Sequence, residues 1–147
     1  MDCLLEDTLE WNMACSKPRD TSPETLKQAV DLIKEEVQEL LTAVDLEDEV
    51  EIADACVDIV WVVAGLMYQR FGYVKTTDLF EEVSRSNYSK LTGPADDIEK
   101  EIEEFSKIGV EVRHVGNDMI GAFLDNNNKV RKPSWFKQPD IAGVLNE

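Results

Sequence analysis

Six carboxylates on two neighbouring stretches carry the chemistry this sequence could do. Glu51, Asp54 and Asp58 lie within an apolar run that continues to Met67. At about 100° per residue of a helix they share one stripe roughly 60° wide. Upstream, Glu35, Glu36 and Glu39 fall at about 0°, 100° and 40° around theirs. If a short turn folds the two helices antiparallel, all six converge. Burying a charge is costly unless it is paired or bound to a metal, so acids set into an apolar helix ask for a cation. Carboxylate oxygens without histidine suit Mg²⁺, Mn²⁺ or Ca²⁺. The competing interpretation is a solvated face. It fits Glu35, Glu36 and Glu39 equally well, since the apolar stripe of their helix (Ile33, Val37, Leu40, Val44) lies elsewhere. It fits Asp54 and Asp58 less well, because their helix offers little other polar surface.

Two further clusters carry weaker signals. Within Ser86-Asn87-Tyr88-Ser89-Lys90, Asn87 and Lys90 put an amide and an ammonium on adjacent turns, as a clamp for phosphate oxygens or as plain polar surface. Between positions 129 and 137 stand Lys129, Arg131, Lys132 and Lys137 with Trp135 among them and no acid. That local reversal of charge suits a phosphate-facing lid or a subunit contact. Trp11, Trp61 and Trp135 could each stack on a base, although core packing is the more natural use of Trp61. His114, the one histidine, lies in an alternating segment where a structural role is the commoner outcome. No Ser–His or Cys–His nucleophile arrangement can be assembled.

Composition narrows the partners. A formal net charge of −16 repels a nucleic-acid backbone, while a small phosphorylated substrate remains open if a metal screens the charge. Cys3, Cys15 and Cys56 are odd in number and lack paired spacing, which predicts free thiols. No basic segment followed by an apolar one opens the chain, and Asp54 and Asp58 interrupt its longest apolar run. The expectation is a soluble cytoplasmic protein with no membrane partner.

The elements that must position these groups are mostly helices. Leu5, Leu9 and Met13 keep helical spacing from Leu4 to about Cys15, and Ser16 to Thr21 form a loop. Ser22-Pro23-Glu24 reads as a cap, a proline at the first helical position and an acid in the positive first turn, opening a helix to about Val44. Asp45 to Glu49 connect it to the central helix. That helix, apolar nearly all round and so expected to be buried among others, ends near Phe71 with Gly72 as a left-handed cap. Thr77 or Asp78 is expected to cap the next helix, which Gly93-Pro94 breaks. Ala95 to Ile108 form an acidic helix packing by one narrow edge of Ile98, Ile102 and Phe105. Val110 to Val115 and Met119 to Leu124 read as paired strands around a turn at Gly116-Asn117-Asp118. The tail from Lys129 to Glu147 is expected to be an ordered, irregular strap. The fold class is all-α: a bundle of four to five helices with a small C-terminal β-hairpin insertion and irregular tail.

Glu35-Glu36-x-x-Glu39 followed by Glu51-x-x-Asp54 resembles the metal motif of the all-α nucleoside triphosphate pyrophosphohydrolases. That superfamily contains MazG, the dimeric dUTPases and phosphoribosyl-ATP pyrophosphohydrolase. The sequence looks most similar to the small MazG-like, phosphoribosyl-ATP-pyrophosphohydrolase-like proteins of bacteria and phages. Asp58-Ile59-Val60-Trp61, Ser86 to Leu91 and the segment from Lys129 through Lys132-Pro133-Ser134-Trp135 to Ile141 continue the likeness. It covers roughly residues 26–91 and 125–141. Some relatives place a metal aspartate where Asp58 stands; here only Glu51 and Asp54 keep the Glu-x-x-Asp spacing, and Asp58 is an additional ligand. Residues 92–123 lack a counterpart in the shortest relatives. They read as an external helix-and-hairpin insertion with its ends close together, replaceable by a short linker within a single domain spanning 1–147.

The resemblance implies Mg²⁺-dependent (Mn²⁺ also serving) hydrolysis of a nucleoside triphosphate, a deoxynucleotide above all, between the α and β phosphates. By analogy Glu36, Glu39, Glu51 and Asp54, with Asp58, would hold metal. Glu35 would be the general base or complete a second ion's shell. Asn87 and Lys90 would bind phosphates, and Lys132 and Trp135 would meet substrate from the tail. It also implies a homodimer or homotetramer, in the cytoplasm or in a host's cytoplasm if phage-encoded. The alternatives are hydrolysis of phosphoribosyl-ATP itself and a non-catalytic acidic helical module that binds a partner.

Overall fold

The computed structural model describes residues 4–15 and 19–147. Cys3 and the loop positions Ser16 to Pro18 lie outside the described residues. The chain forms two compact units, one ending at Thr77 and the other beginning at Asp78.

The first unit holds α1 (Leu4–Ala14), α2 (Pro23–Asp45) and most of α3 (Glu49–Tyr88). The start of α2 is the expected one: the Ser22 side chain accepts the Thr25 N–H at 3.2 Å and Pro23 takes the first turn. Asp20 supports this cap by accepting the Ser22 N–H at 2.8 Å and the Thr25 hydroxyl at 2.5 Å. The 19–21 segment is tied to α3, since Arg19 donates to the Arg70 carbonyl at 3.0 Å and Arg70 to the Thr21 carbonyl at 2.9 Å. Between α2 and α3 the turn is tight. Glu47 takes a left-handed φ of 54°, and Asp48 caps α3 by accepting the N–H groups of Val50 and Glu51 at 3.1 and 3.2 Å.

Gly72 is the non-helical residue inside α3, with φ 79° and ψ 177°, where the sequence predicted a helix to end. The expected fresh start at Thr77 or Asp78 is corrected: helix resumes directly after Gly72, because one residue absorbs the whole break. A second correction concerns burial. The interior of this unit is small, made of Leu9 with Ala29, Ala43, Ala55 and Ala64. Leu41, Val44, Val50, Val57 and Val60 are exposed. Alanines let the helices approach closely and push the larger apolar side chains to the outer faces, so the central helix is not enclosed within the chain. Among the described residues no helix is long and apolar enough to cross a membrane.

The second unit holds the end of α3, then α4 (Ile98–Lys107), β1 (Arg113–Gly116), β2 (Gly121–Leu124) and α5 (Ile141–Asn146). The hairpin is antiparallel with His114 opposite Phe123 and Val115 opposite Ala122. Thr92 bridges Gly121 beside it, through bonds of 2.8 and 3.2 Å. The ends of the 92–123 segment therefore do meet. The segment is nevertheless no appendage: Phe123 is fully buried, with the rings of Phe105, His114 and Trp135 centred 5.5, 5.6 and 6.2 Å away. Helix α4 packs by the expected narrow edge, Phe105 buried and Ile98 and Ile102 half-buried. The tail is irregular to Asp140, which accepts the Gly143 N–H at 2.8 Å and caps α5, a short helix that the sequence did not suggest.

Candidate functional site

The turn at 46–48 folds α2 back along α3, so that Glu39 shares a groove with Asp48 and Glu51 while Thr25 and Gln28 share a cavity with Leu66 and Gln69. That antiparallel order sets the acidic stripes against each other. Glu36 is the hub. It is half-buried, and its Oε2 atom is shielded from solvent without a hydrogen-bond partner. Its carboxyl is pushed above the ordinary range by burial first, then by the negative charges of Glu39, Asp58, Glu35 and Asp54. All four charges acting on it are like charges. Taking out any one relieves repulsion; a cation among them would relieve it better.

Asp58 is half-buried, while Glu35, Glu39, Glu51 and Asp54 are exposed. Glu51 lines the groove with Glu39, Thr42 and Asp48. Among the described residues no three His, Cys, Asp or Glu side chains gather tightly enough to hold an ion in the observed conformation. The donor set still fits a hard divalent cation. It consists of carboxylate oxygens on two facing helices, one of them buried and unpartnered, and the exposed members are free to swing.

A second cluster forms in the other unit. Lys90 donates to the Asn87 side-chain oxygen at 2.7 Å. The ammonium groups of Lys90 and Lys132 lie 5.8 and 4.7 Å from the centre of the Phe136 ring. Phe136 thus gathers Lys90 and Lys132, with Asn87 joined to them only through Lys90, and nothing in its sequence context marks it for that part. Trp135 is used differently. Its indole N–H donates to the Leu91 carbonyl at 3.2 Å and its ring packs beside Phe123. His114 is structural as expected, hydrogen-bonded to the Thr92 hydroxyl at 2.8 Å. The basic segment is a pinned strap. Buried Glu101 accepts the Ser134 N–H and hydroxyl at 2.6 and 2.8 Å, and the Ser86 hydroxyl donates to the Lys137 carbonyl at 2.8 Å. Cys15 and Cys56 are exposed free thiols.

The sequence reading also passed over Asn12, which lies buried on α1 and lines the cavity with Trp11 and Trp61. A polar residue on a short helix carries no local signal of burial.

Comparison with known proteins agrees with the two-helix geometry. A 74-residue stretch, half of the chain, is 43% identical to "Uncharacterized protein L479" of Acanthamoeba polyphaga mimivirus. The match spans 29% of that protein's length. Residues 5–87, more than half of the chain and including both acidic stripes, match the family model described as "Phosphoribosyl-ATP pyrophosphohydrolase". With α2 and α3 folded back on each other and their acids facing, the chain belongs to the phosphoribosyl-ATP pyrophosphohydrolase family, within the MazG-like all-α nucleoside triphosphate pyrophosphohydrolase superfamily.

Proposed function

We propose that the protein hydrolyses a nucleoside triphosphate between the α and β phosphates, giving the monophosphate and pyrophosphate, with Mg²⁺ or Mn²⁺ as cofactor. The observation that carries this is the shielded, unpartnered Glu36 oxygen ringed by four like charges. Glu36, Glu39, Glu51, Asp54 and Asp58 are the proposed metal ligands. The bound ion would supply charge neutralisation and orientation of the triphosphate. Glu35, exposed on the turn that carries Glu36, is the proposed general base and takes the proton of the attacking water. Asn87, Lys90 and Lys132 are proposed to meet phosphate oxygens, where ammonium and amide donors offset charge building on the leaving pyrophosphate. The exposed apolar faces of α2 and α3 favour a homodimer or homotetramer, since large apolar side chains are costly to leave in water.

The family description favours phosphoribosyl-ATP as a second substrate candidate. The test is pyrophosphate release from a panel of ribo- and deoxynucleoside triphosphates and phosphoribosyl-ATP, with Mg²⁺ and with chelator, for wild type and Glu36→Gln. Metal-dependent release that falls at least a hundredfold in the variant is expected. Mg²⁺ should also raise the melting temperature of the wild type more than that of the variant. An inert panel with equal metal shifts would leave the protein a non-catalytic acidic module.

A further inference from the structure

The two edges of the hairpin are treated differently. Beside β2, Thr92 exchanges N–H and carbonyl with Gly121, and the Arg131 N–H donates to the Phe123 carbonyl at 2.8 Å. The main-chain groups of Gly121 and Phe123 therefore face away from β1, and those of Ala122 and Leu124 face toward it. Their register partners Val115 and Arg113 face β2 in turn, which directs His114 to the outer edge of the sheet. The strand pattern continues upstream of β1. Val110, Val112 and His114 are half-buried while Glu111 and Arg113 are exposed, so a period of two runs from 110 to 114. Val112 shares the outward direction of His114. Among the described residues neither has a main-chain partner on that side.

An open edge is a template for another strand, and natural sheets blunt theirs with lysine, proline, a bulge or a covering element. Neither lysine nor proline occurs in Val110-Glu111-Val112-Arg113-His114-Val115-Gly116. A groove of about 320 Å³ borders residues 110–113, walled by Ile102 and Ser106 of α4 and by Asn126. Charge selects the occupant. Glu111 and Arg113 are opposite in sign and lie two residues apart, on one face of the strand. Pair two copies of this segment antiparallel about a twofold axis at Val112, and Glu111 of each copy stands opposite Arg113 of the other. Moving the axis one residue either way sets Glu111 against Glu111 or Arg113 against Arg113, and like charges directly opposite are unfavourable. Moving it to His114 leaves both charges opposite uncharged residues. In the favoured register Val112 exchanges N–H and carbonyl with its counterpart, and the His114 N–H reaches the Val110 carbonyl of the other copy. The Val110 N–H is already donated to the Phe105 carbonyl at 3.0 Å, which sets the limit of the ladder.

We propose that β1 with residues 110–112 is an interface between two copies of this chain, paired as antiparallel strands about a twofold axis at Val112. So short a segment makes a smaller contact than the roughly 1,200–2,000 Å² of stable interfaces, so the pairing is reversible and concentration-dependent. It uses none of the apolar side chains of α2 and α3, and it stands or falls separately from any pairing through them.

The test is sedimentation of the full chain over a range of concentrations. Glu111→Lys and Arg113→Glu should each weaken association tenfold or more, because each sets like charges opposite one another. Their equimolar mixture should recover wild-type association within threefold, since one copy is then positive at both positions and the other negative. Association through α2 and α3 is common to all these proteins and cancels in the comparison. Hydrogen exchange supplies the second measurement. The Val112 and His114 amides should slow at least tenfold as the wild type is concentrated, and should not slow in Glu111→Lys. The Arg113 guanidinium also holds the Asp125 carbonyl at 3.1 Å, so Arg113→Glu could fail to fold. Val112→Pro then takes its place: it removes an N–H that bonds nothing within the chain, and it should weaken association tenfold or more. Folded variants that associate like the wild type overturn the proposal. So does a mixture of folded variants that recovers nothing, or Val112 and His114 amides that exchange at one rate at every concentration.

Discussion

The sharpest structural test is Phe123→Ala. Phe123 is fully buried and in ring contact with Phe105, His114 and Trp135, on a hairpin that the sequence marked as an external insertion. Truncating a phenylalanine in such a setting costs about 3–5 kcal/mol, the lost transfer energy plus the cavity left behind. Typical domains hold only about 5–15 kcal/mol in total. For a chain of this size the melting temperature should fall by roughly 10 °C or more. A gentler pair isolates the ring contact. Phe105→Leu and Phe123→Leu, alone and together, should show a coupling of about 0.5–1.5 kcal/mol in a double-mutant cycle. The assay is urea and thermal unfolding followed by circular dichroism and by tryptophan fluorescence, Trp135 lying against the substituted ring. A loss below about 1 kcal/mol for Phe123→Ala, in the range of ordinary surface substitutions, would show that the hairpin is peripheral and refute the packing described here.

Gly72→Ala should destabilise the protein by about 1–3 kcal/mol, because φ 79° with ψ 177° belongs to backbone that is essentially reserved for glycine. A Cβ there would also press on the Arg19 side chain at 3.3 Å, so unchanged urea unfolding would refute the assignment of the break. Acid sensitivity should centre on Glu82, whose carboxyl is held down to about 2 by hydrogen bonds from Arg85 and then by the Asp140 N–H. The folded value lies below the ordinary 4.5, so the stabilisation is complete above that pH and is lost as pH falls toward about 2. Melting temperature measured between pH 5 and pH 2.5 should drop more steeply for the wild type than for Glu82→Gln; parallel curves would count against it.

What the sequence made legible was local chemistry. Ser22 and Pro23 announce the start of α2 and Gly72 its own backbone break, because each signal is confined to a few residues. The acidic stripes could be read because helical periodicity alone puts Glu36 beside Glu39 and Asp54 beside Asp58. What it hid depended on partners distant in the chain. Nothing near Asn12 distinguishes it from a surface amide; only the approach of Gly65 and the two tryptophans makes it a buried acceptor. Phe123 looked like part of a detachable hairpin because pattern reveals which way a side chain alternates and not what it meets. The central helix misled for a similar reason: apolar residues all round predict burial, while the alanines that dominate the actual interior, such as Ala55 and Ala64, carry little hydrophobic signal.

The tail strap is held mainly by its own backbone. Ser134 N–H, Lys137 N–H and carbonyl, Gln138 carbonyl and Asp140 N–H are the atoms that bond to Glu101, Ser89, Ser86, Arg85 and Glu82. Pro133 and Pro139, which have no N–H to give, stand one residue before two of those donors. Anchoring of this kind is nearly blind to what the strap's side chains are. Positions 132 and 136 can therefore change identity while the strap keeps its register, and the burden of inheritance falls on the receiving side chains of α3, of α4 and of Ser89 just beyond α3. The arrangement separates how the segment is attached from what it presents, leaving its presented face open to evolutionary retuning.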